Sequence, residues 1–323
     1  MRLLALALPL SLALTACSPA ANDAVFASTS ATDIPLYEAE PERRDLDALT
    51  YLGGMAITYS DARFGGLSAI HLSEDGSRLL AVSDRAYWIR AGLSWSDEGA
   101  PVAIGGVDIA PLLSREGTEL QGAAGDSEAI ADLGNGQFAI SFERDHRINL
   151  YDLGPDWSAL DAPGVAISVP ASAARFENNG GMEGLTQLVD GRLMAGVEDT
   201  TGSDRELWVL DDGRWSQRRL AAESNYGLTA LDAHGEYIYA LERFWQRETG
   251  NRIRILRFQA AAIDAGGTIR PDLLGTLEAG KSVDNFEGLD VIERDGRTVL
   301  VIVSDDNYSE NQRTLLMAFA VED

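Results

Sequence analysis

Met182-Glu183-Gly184-Leu185 and Phe286-Glu287-Gly288-Leu289 are two copies of one short element, and the chain is built on its recurrence. In each copy a polar residue opens an apolar run, a Gly-containing turn follows, and a second apolar run ends on a carboxylate. Five copies start at Ser68, Glu128, Glu183, Thr229 and Glu287, at intervals of 60, 55, 46 and 58 residues. Their second runs finish on Asp84, Glu143, Glu198, Glu242 and Asp305. A period of roughly 50 residues is near that of propellers and other arrays.

The second runs show which kind of array this is. Residues 137–143 place Phe138, Ile140 and Phe142 on one face and Ala139, Ser141 and Glu143 on the other. Residues 192–198 and 236–242 alternate in the same way, and neither face is polar until the terminal acid. Period two with both faces apolar describes a strand inside a sheet that lies between two neighbouring sheets. Asp75-Gly76, Asn135-Gly136, Asp190-Gly191, His234-Gly235 and Asp295-Gly296 separate first from second runs. They are hairpin signals, because Gly reaches positive φ without a Cβ clash. Third runs follow at 148–152, 207–210, 253–258 and 315–321, and weaker fourth runs at 102–109, 165–169, 216–220 and 273–277.

Four antiparallel strands per unit, repeated about an axis, make an all-β propeller. Five blades are expected, or six if part of residues 44–66 forms a degenerate one. The chain reaches Asp323 just after the third strand of its last unit, while the run 46–59 precedes the first unit with no blade of its own. Closing the ring then requires that N-terminal strand to complete the last blade, which removes two open edges.

Of 323 residues, 45% are hydrophobic, enough for a sizeable core. The 51 acidic residues outnumber 26 basic ones, a net charge of −25. Such a surface repels nucleic acid and anionic bilayers and favours cations. At the start, Arg2 is the lone charge before an apolar stretch over 3–14, interrupted by Pro9 and Ser11. That is too short for a bilayer helix and suits a signal-peptide core. Leu14-Thr15-Ala16-Cys17 resembles the bacterial lipoprotein box, in which the cysteine is lipidated, and Cys17 is the chain's single cysteine. With Ser at position 18, the resemblance implies the outer membrane, periplasmic side. The expected organisation is a lipoprotein signal peptide over 1–16, lipidated Cys17 and a flexible tether over 17–44, and the propeller over 45–323. The lipid anchor would be its only membrane contact, no intrachain disulfide can form, and a monomer is expected.

In a propeller the first strands line the channel, so residues that open first strands and close second strands meet at one end. That end would gather Ser68, Glu128, Glu183, Thr229 and Glu287 with Asp84, Glu143, Glu198, Glu242 and Asp305. Clustered carboxylates repel unless cations or bases compensate. Arg85, Arg144 and Arg243 directly follow three of the second-run acids, and Asp305-Asp306 is an acid pair. The functional reading is a mouth with hard oxygen ligands for Ca²⁺ and arginines that hold an anionic group. The structural reading is that acid–arginine pairs lock the blade tops. Asp305-Asp306-Asn307 alternates oxygen side chains somewhat as a calcium loop does, without that loop's sixth-position Gly.

These residues carry a resemblance. Leu67-Ser68-Ala69-Ile70 with Ser83-Asp84-Arg85, Asp126-Ser127-Glu128-Ala129-Ile130, and Met182-Glu183-Gly184-Leu185 are its earlier landmarks. Leu241-Glu242-Arg243 follows, then Asn285-Phe286-Glu287-Gly288-Leu289 with Ser304-Asp305-Asp306-Asn307. In this order, over about residues 47–320, the chain resembles the phytase-like ("esterase-like activity of phytase") family of bacterial exported proteins. The resemblance implies a propeller and Ca²⁺-dependent phosphoester hydrolysis. Ala129 stands where Gly is usual, and no dense Lys/Arg set is present to grip a polyphosphate, which speaks against phytate itself.

Other chemistries lack support. His71, His146 and His234 are scattered, with His146 in the polar run after Glu143. There is no Gly-x-Ser-x-Gly elbow, P-loop or dinucleotide fingerprint. The expected function is divalent-cation-dependent hydrolysis of a small anionic phosphate or other ester at the channel mouth. Glu128, Glu183 and Glu287 are the candidate catalytic acids. Asp84, Glu143, Glu198, Glu242, Asp305 and Asp306 are the candidate metal ligands, and Arg85, Arg144 and Arg243 would bind substrate. A non-catalytic propeller that binds a ligand or envelope partner at the same mouth is the alternative.

Overall fold

Five antiparallel sheets stand around one channel in the computed structural model, which describes residues 29–178 and 180–322. The expected signal peptide over 1–16 and Cys17 lie outside the described residues. The innermost strands, in blade order, are Leu67–Leu72, Ser127–Asp132, Met182–Gln187, Gly227–His234 and Asn285–Arg294. Each touches the next, and the fifth touches the first, which closes the ring at five blades. Within a blade the chain moves outward strand by strand, as in Leu67–Leu72, Arg78–Ser83, Tyr87–Trp95 and Pro101–Pro111 of blade one.

Strands apolar on both faces are explained by five hydrophobic clusters, one in each gap between blades. Phe138, Ile140 and Phe142 point into the gap with blade one, beside Trp88 and Leu80. Ala139, on the other face of the same strand, meets Ala195 and Leu185 of blade three. Two buried faces per strand leave no polar stripe for a helix-like period, and the α-helical content described is one turn, Ala262–Ala265. Asp295 (φ 51°) and Gly296 (φ 72°) form the two-residue turn between Arg294 and Arg297. Both positive φ values match the strand twist of a type I′ hairpin.

Ring closure uses the N-terminal strand. Leu49–Tyr59 pairs with Thr314–Val321, from Val321↔Leu49 to Thr314↔Ile57, and so supplies the fourth strand of blade five. The folded body begins earlier than composition indicates. Thr29–Asp33 adds a further edge strand against Leu49–Tyr59, and Leu36 is fully buried between blades four and five. Ser282 donates from its amide to the Leu36 carbonyl (2.8 Å) and from its hydroxyl to the Pro35 carbonyl (2.6 Å). The stretch read as a tether is therefore partly a structural strap. Its Ala/Ser/Thr content hides one apolar anchor that only the groove between blades reveals. The third strand of blade one, Tyr87–Trp95, was also not legible, because Arg90, Gly92 and Ser94 interrupt its pattern.

At the end of the channel where the inner strands finish, side chains tie blade to blade. Asp290 accepts from the Leu72 amide (3.1 Å), Asp232 from the Val291 amide (2.8 Å), and the Thr186 hydroxyl from the Ala233 amide (2.9 Å). His71 continues this belt, with Nδ1 at 3.1 Å from Asp290 and Nε2 at 3.5 Å from Asp132. These residues lie three positions after the residue that opens each copy. Ala131 holds that position in blade two and has no such polar group.

Candidate metal centre at the channel mouth

A single irregularity repeated five times builds the other end. In each inner strand the pairing register shifts at the residue that opens the copy: Ser68, Glu128, Glu183, Thr229 and Glu287. Each is the extra residue of a β-bulge, unpaired in the ladder and re-aimed by the local kink. A regular strand would send these side chains into a gap between blades; the bulge frees them from that alternation.

The second strands end opposite. Asp84, Glu143 and Glu198 donate their amides to the carbonyls of Gly66, Asp126 and Gly181, at 2.9, 2.8 and 2.9 Å, and Asp305 pairs with Asn285. Blade four departs from the sequence reading. There Leu228 pairs with Glu242 and Gly227 with Arg243, so Arg243 occupies the place that acids hold in the other blades. A one-residue difference turns a strand side chain to the opposite face. Glu242 is accordingly buried away from the mouth, 2.8 Å from Arg254 Nη1, with its carboxyl pushed up to about 7 by burial despite Arg254 and Arg205.

Two more expected ligands and one expected substrate group have partners of their own around the mouth. Asp306 accepts from the amides of Gly66 and Tyr308 (both 2.9 Å) and from the Thr314 hydroxyl (2.8 Å), which makes it a strut between blades five and one. Asp305 accepts from the Asn307 amide (2.6 Å) and from Asn285 Nδ2 (3.3 Å). Arg85 lies over the Tyr308 ring at 3.5 Å and lines, with Asp84, Asp126 and Arg144, a rim cavity of about 360 Å³. Arg144 Nε stands 2.8 Å from Asp126 Oδ2, an ion pair whose angle leaves that oxygen without a hydrogen bond.

The mouth divides into two electrostatic halves. On one side Arg243 reaches into the channel, 3.6 Å from Glu198, 3.5 Å from Glu287, and hydrogen-bonded to Asn285 Oδ1. Burial alone would lower its pKa, but Glu287 and Glu198 more than reverse that, so it stays charged. Asn285 Nδ2 also donates to Glu287 (2.9 Å). On the other side, Glu128 and Glu183 are 9% and 8% exposed, and among the described residues their carboxylates have no hydrogen bond and no ion pair. One oxygen each of Asp126, Glu128 and Glu143 lie within 4.8 Å of one another, and so do oxygens of Glu143, Glu183 and Glu198.

Such crowding drives the acids toward their neutral forms. Burial, then the charges of Glu287, Asp126 and Glu143, pushes Glu128 well above the carboxylate range. Burial, then Glu128 and Glu198, does the same to Glu183. Burial raises Asp84 and Glu143 to about 7 and Glu287 to about 8. An all-oxygen set of crowded carboxylates, of which Glu128 and Glu183 have no ion pair among the described residues, fits a hard divalent cation, whose charge would restore their ionised forms.

Sequence reasoning missed Asp126, Asn285 and the glycines beside them. A Cβ at Gly227 would sit 2.7 Å from Glu198 Oε1, and one at Gly181 would sit 3.3 Å from Glu143 Cγ. These glycines let the acid of one blade lean onto the next. Asp126-Ser127-Glu128 was visible as a landmark, but only the strand pairing shows that Asp126 faces Glu143. His146 also adjoins the mouth; its Nε2 lies 3.1 Å from the Glu177 carbonyl, and its buried Nδ1 has no hydrogen-bond partner.

Similar folds are found among solved structures at low identity. The catalytic domain of a Coprinopsis cinerea GH62 α-L-arabinofuranosidase is 10% identical, with a TM-score of 0.51 over 86% of this chain and 99% of that one. The β-xylosidase RS223 is 12% identical, with a TM-score of 0.48 over 84% and 94%. The Neurospora crassa Pan2 WD40 domain is 10% identical, with a TM-score of 0.40 over 88% and 98%. At such identities the likeness is one of fold. No curated protein matches the sequence. A family model matches residues 62–308, a span that contains all five bulges and every mouth acid described above, and the chain thereby belongs to the phytase-like family, "Esterase-like activity of phytase".

Proposed function

We propose that the protein is a divalent-cation-dependent hydrolase of a small anionic ester, a phosphoester first, acting at the channel mouth. One observation carries this reading: Glu128 and Glu183 are buried, face like charges, and among the described residues have no ion pair or hydrogen bond, while Arg243 stands in ion-pair range of Glu198 and Glu287. Glu128, Glu143 and Glu183, with Asp126 and Glu198 at the flanks, would hold the cation. A bound hard cation supplies Lewis-acid charge to the scissile group and to a water. Arg85 and Arg144, on the rim of blades one and two, would grip the anionic group. Glu287, raised to about 8 and held by Asn285 and Arg243, is mostly protonated near neutrality. It is suited to give its proton to the leaving oxygen as water bonds to phosphorus.

The test is hydrolysis of aryl and alkyl phosphates and carboxylic esters, with added Ca²⁺ or Mn²⁺ and then with chelator. Turnover that the chelator removes and that Glu183→Gln abolishes, together with the cation's thermal shift, supports the reading. A cation-raised melting temperature with no turnover on any substrate would instead favour a binding propeller. We further propose that lipidated Cys17 anchors the domain in the cell envelope, on the periplasmic side of the outer membrane. Among the described residues no helix is long and apolar enough to cross a membrane. Radiolabelled palmitate incorporation that a Cys17→Ser change leaves intact would refute the anchor.

A further inference from the structure

Blade four differs from the others at the mouth in a second way. Its second and third strands, Tyr237–Gln246 and Gly250–Gln259, continue past the acid ring and pair out to Gln246↔Gly250. In blades two and three the second strands stop at Phe142 and Val197, just before their acids. The extra length forms a hairpin that rises above the mouth. Side chains two apart on a strand share a face. Arg243 points into the mouth, so Trp245 stands on the same face one pleat farther out. Trp245 is 62% exposed and is the one aromatic among the exposed large hydrophobic residues described. Phe244, on the opposite face, packs against Tyr226 at 5.5 Å and fixes the hairpin.

Five-fold order places this hairpin. In a ring of five blades, blade four lies across the axis from the boundary of blades one and two. Arg85 and Arg144 come from that boundary, so the proposed anion grip and the blade-four hairpin that carries Trp245 lie on opposite sides of the mouth. A ligand whose anionic group is held by the arginines and cation would extend its other end toward blade four.

We propose that Trp245 is a specificity-determining platform on which an aromatic leaving group stacks, so that the substrates are aryl rather than alkyl esters. This rests on the reading of the mouth as an anion-binding hydrolase site. The indole face offers a planar surface with low ordering cost, and ring-on-ring contact is favoured over contact with a flexible alkyl chain. Nothing in the ring of acids itself would make that distinction.

The test uses non-hydrolysable probes, phenylphosphonate and methylphosphonate, titrated calorimetrically into the Ca²⁺-loaded full protein. The wild type should bind phenylphosphonate about three- to tenfold more tightly than methylphosphonate, the factor expected of one aromatic pair. Trp245→Ala should erase that ratio, and Trp245→Phe should keep most of it. A surface position on a hairpin anchored by Phe244 makes misfolding a small risk, and unchanged far-UV circular dichroism checks it. A wild type that binds both probes equally, or a ratio that survives in Trp245→Ala, overturns the platform alone. If neither probe binds the wild type, the anion site is refuted, and the platform with it.

Discussion

Replacing Arg243 with Met tests the division of the mouth into two halves, because this guanidinium is the cation set among Glu198, Glu287 and Asp305. The substitution keeps volume and apolar packing while removing the charge. Glu287 is raised to about 8 even with Arg243 present. A carboxyl raised in the folded state contributes its full stability below its ordinary value and loses it as pH rises through the raised one. Near pH 5, Glu287 and Asp305, raised to about 8 and about 6, are mostly protonated in both proteins, and a buried methionine costs no more than a buried guanidinium facing neutral acids. The expected destabilisation there is within about 1 kcal/mol. Near pH 8.5 the wild type has ionised most of its Glu287 against Arg243, and the variant holds that proton instead. Holding it forgoes what ionisation gives the wild type: about 1 kcal/mol for Glu287, about half a pH unit above its value of about 8, and up to about 3 kcal/mol for Asp305, raised to about 6. For a chain of this size each kcal/mol moves Tm by about 2 °C, so the difference should reach roughly 2–8 °C. Thermal melts with chelator present, at both pH values, provide the measurement. Equal destabilisation at the two pH values would refute the argument, since it would mean that Arg243 matters only through its bond to Asn285.

Three further outcomes are expected. The Tm gain from saturating Ca²⁺ should be larger near pH 8 than near pH 5, because Glu128, Glu143 and Glu183 must release protons to bind it; a gain that grows toward pH 5 would contradict the site. Leu36→Ala should cost about 2–5 kcal/mol in denaturant melts, as for other fully buried leucines, and no loss would mean that the strap is dispensable. Asp232→Ala leaves the Val291 amide without its side-chain acceptor and should cost about 1–3 kcal/mol, accompanied by faster amide exchange at Val291. Unchanged exchange there would remove the belt from the account of ring closure.

Much of the architecture was readable from residue order because the repeat imposes one pattern five times. Alternation with both faces apolar, turns such as Asp295-Gly296, and an unpaired run over 46–59 before the first unit together lead to five blades, with six as the alternative, closed by an N-terminal strand that the structure places at Leu49–Tyr59. Readable too was the gathering of Glu128, Glu183 and Glu287 with Asp84, Glu143, Glu198 and Asp305. The illegible parts depend on register. Glu242 and Arg243 differ by one position, and nothing local says which of them faces the channel. Only pairing with Gly227 and Leu228 puts Arg243 in the acid ring and Glu242 behind it. Asp306 resembled a ligand until the Gly66 amide, 240 residues earlier in the chain, was found on it.

What the amino-acid order determined by itself is the repeating strand pattern and the polar residue that opens each copy, since both follow from short-range periodicity and turn chemistry. What the tertiary structure decided is which acids have counter-charges. That depends on distances of a few ångströms between blades far apart in sequence, and electrostatic energy in a buried channel varies steeply over such distances.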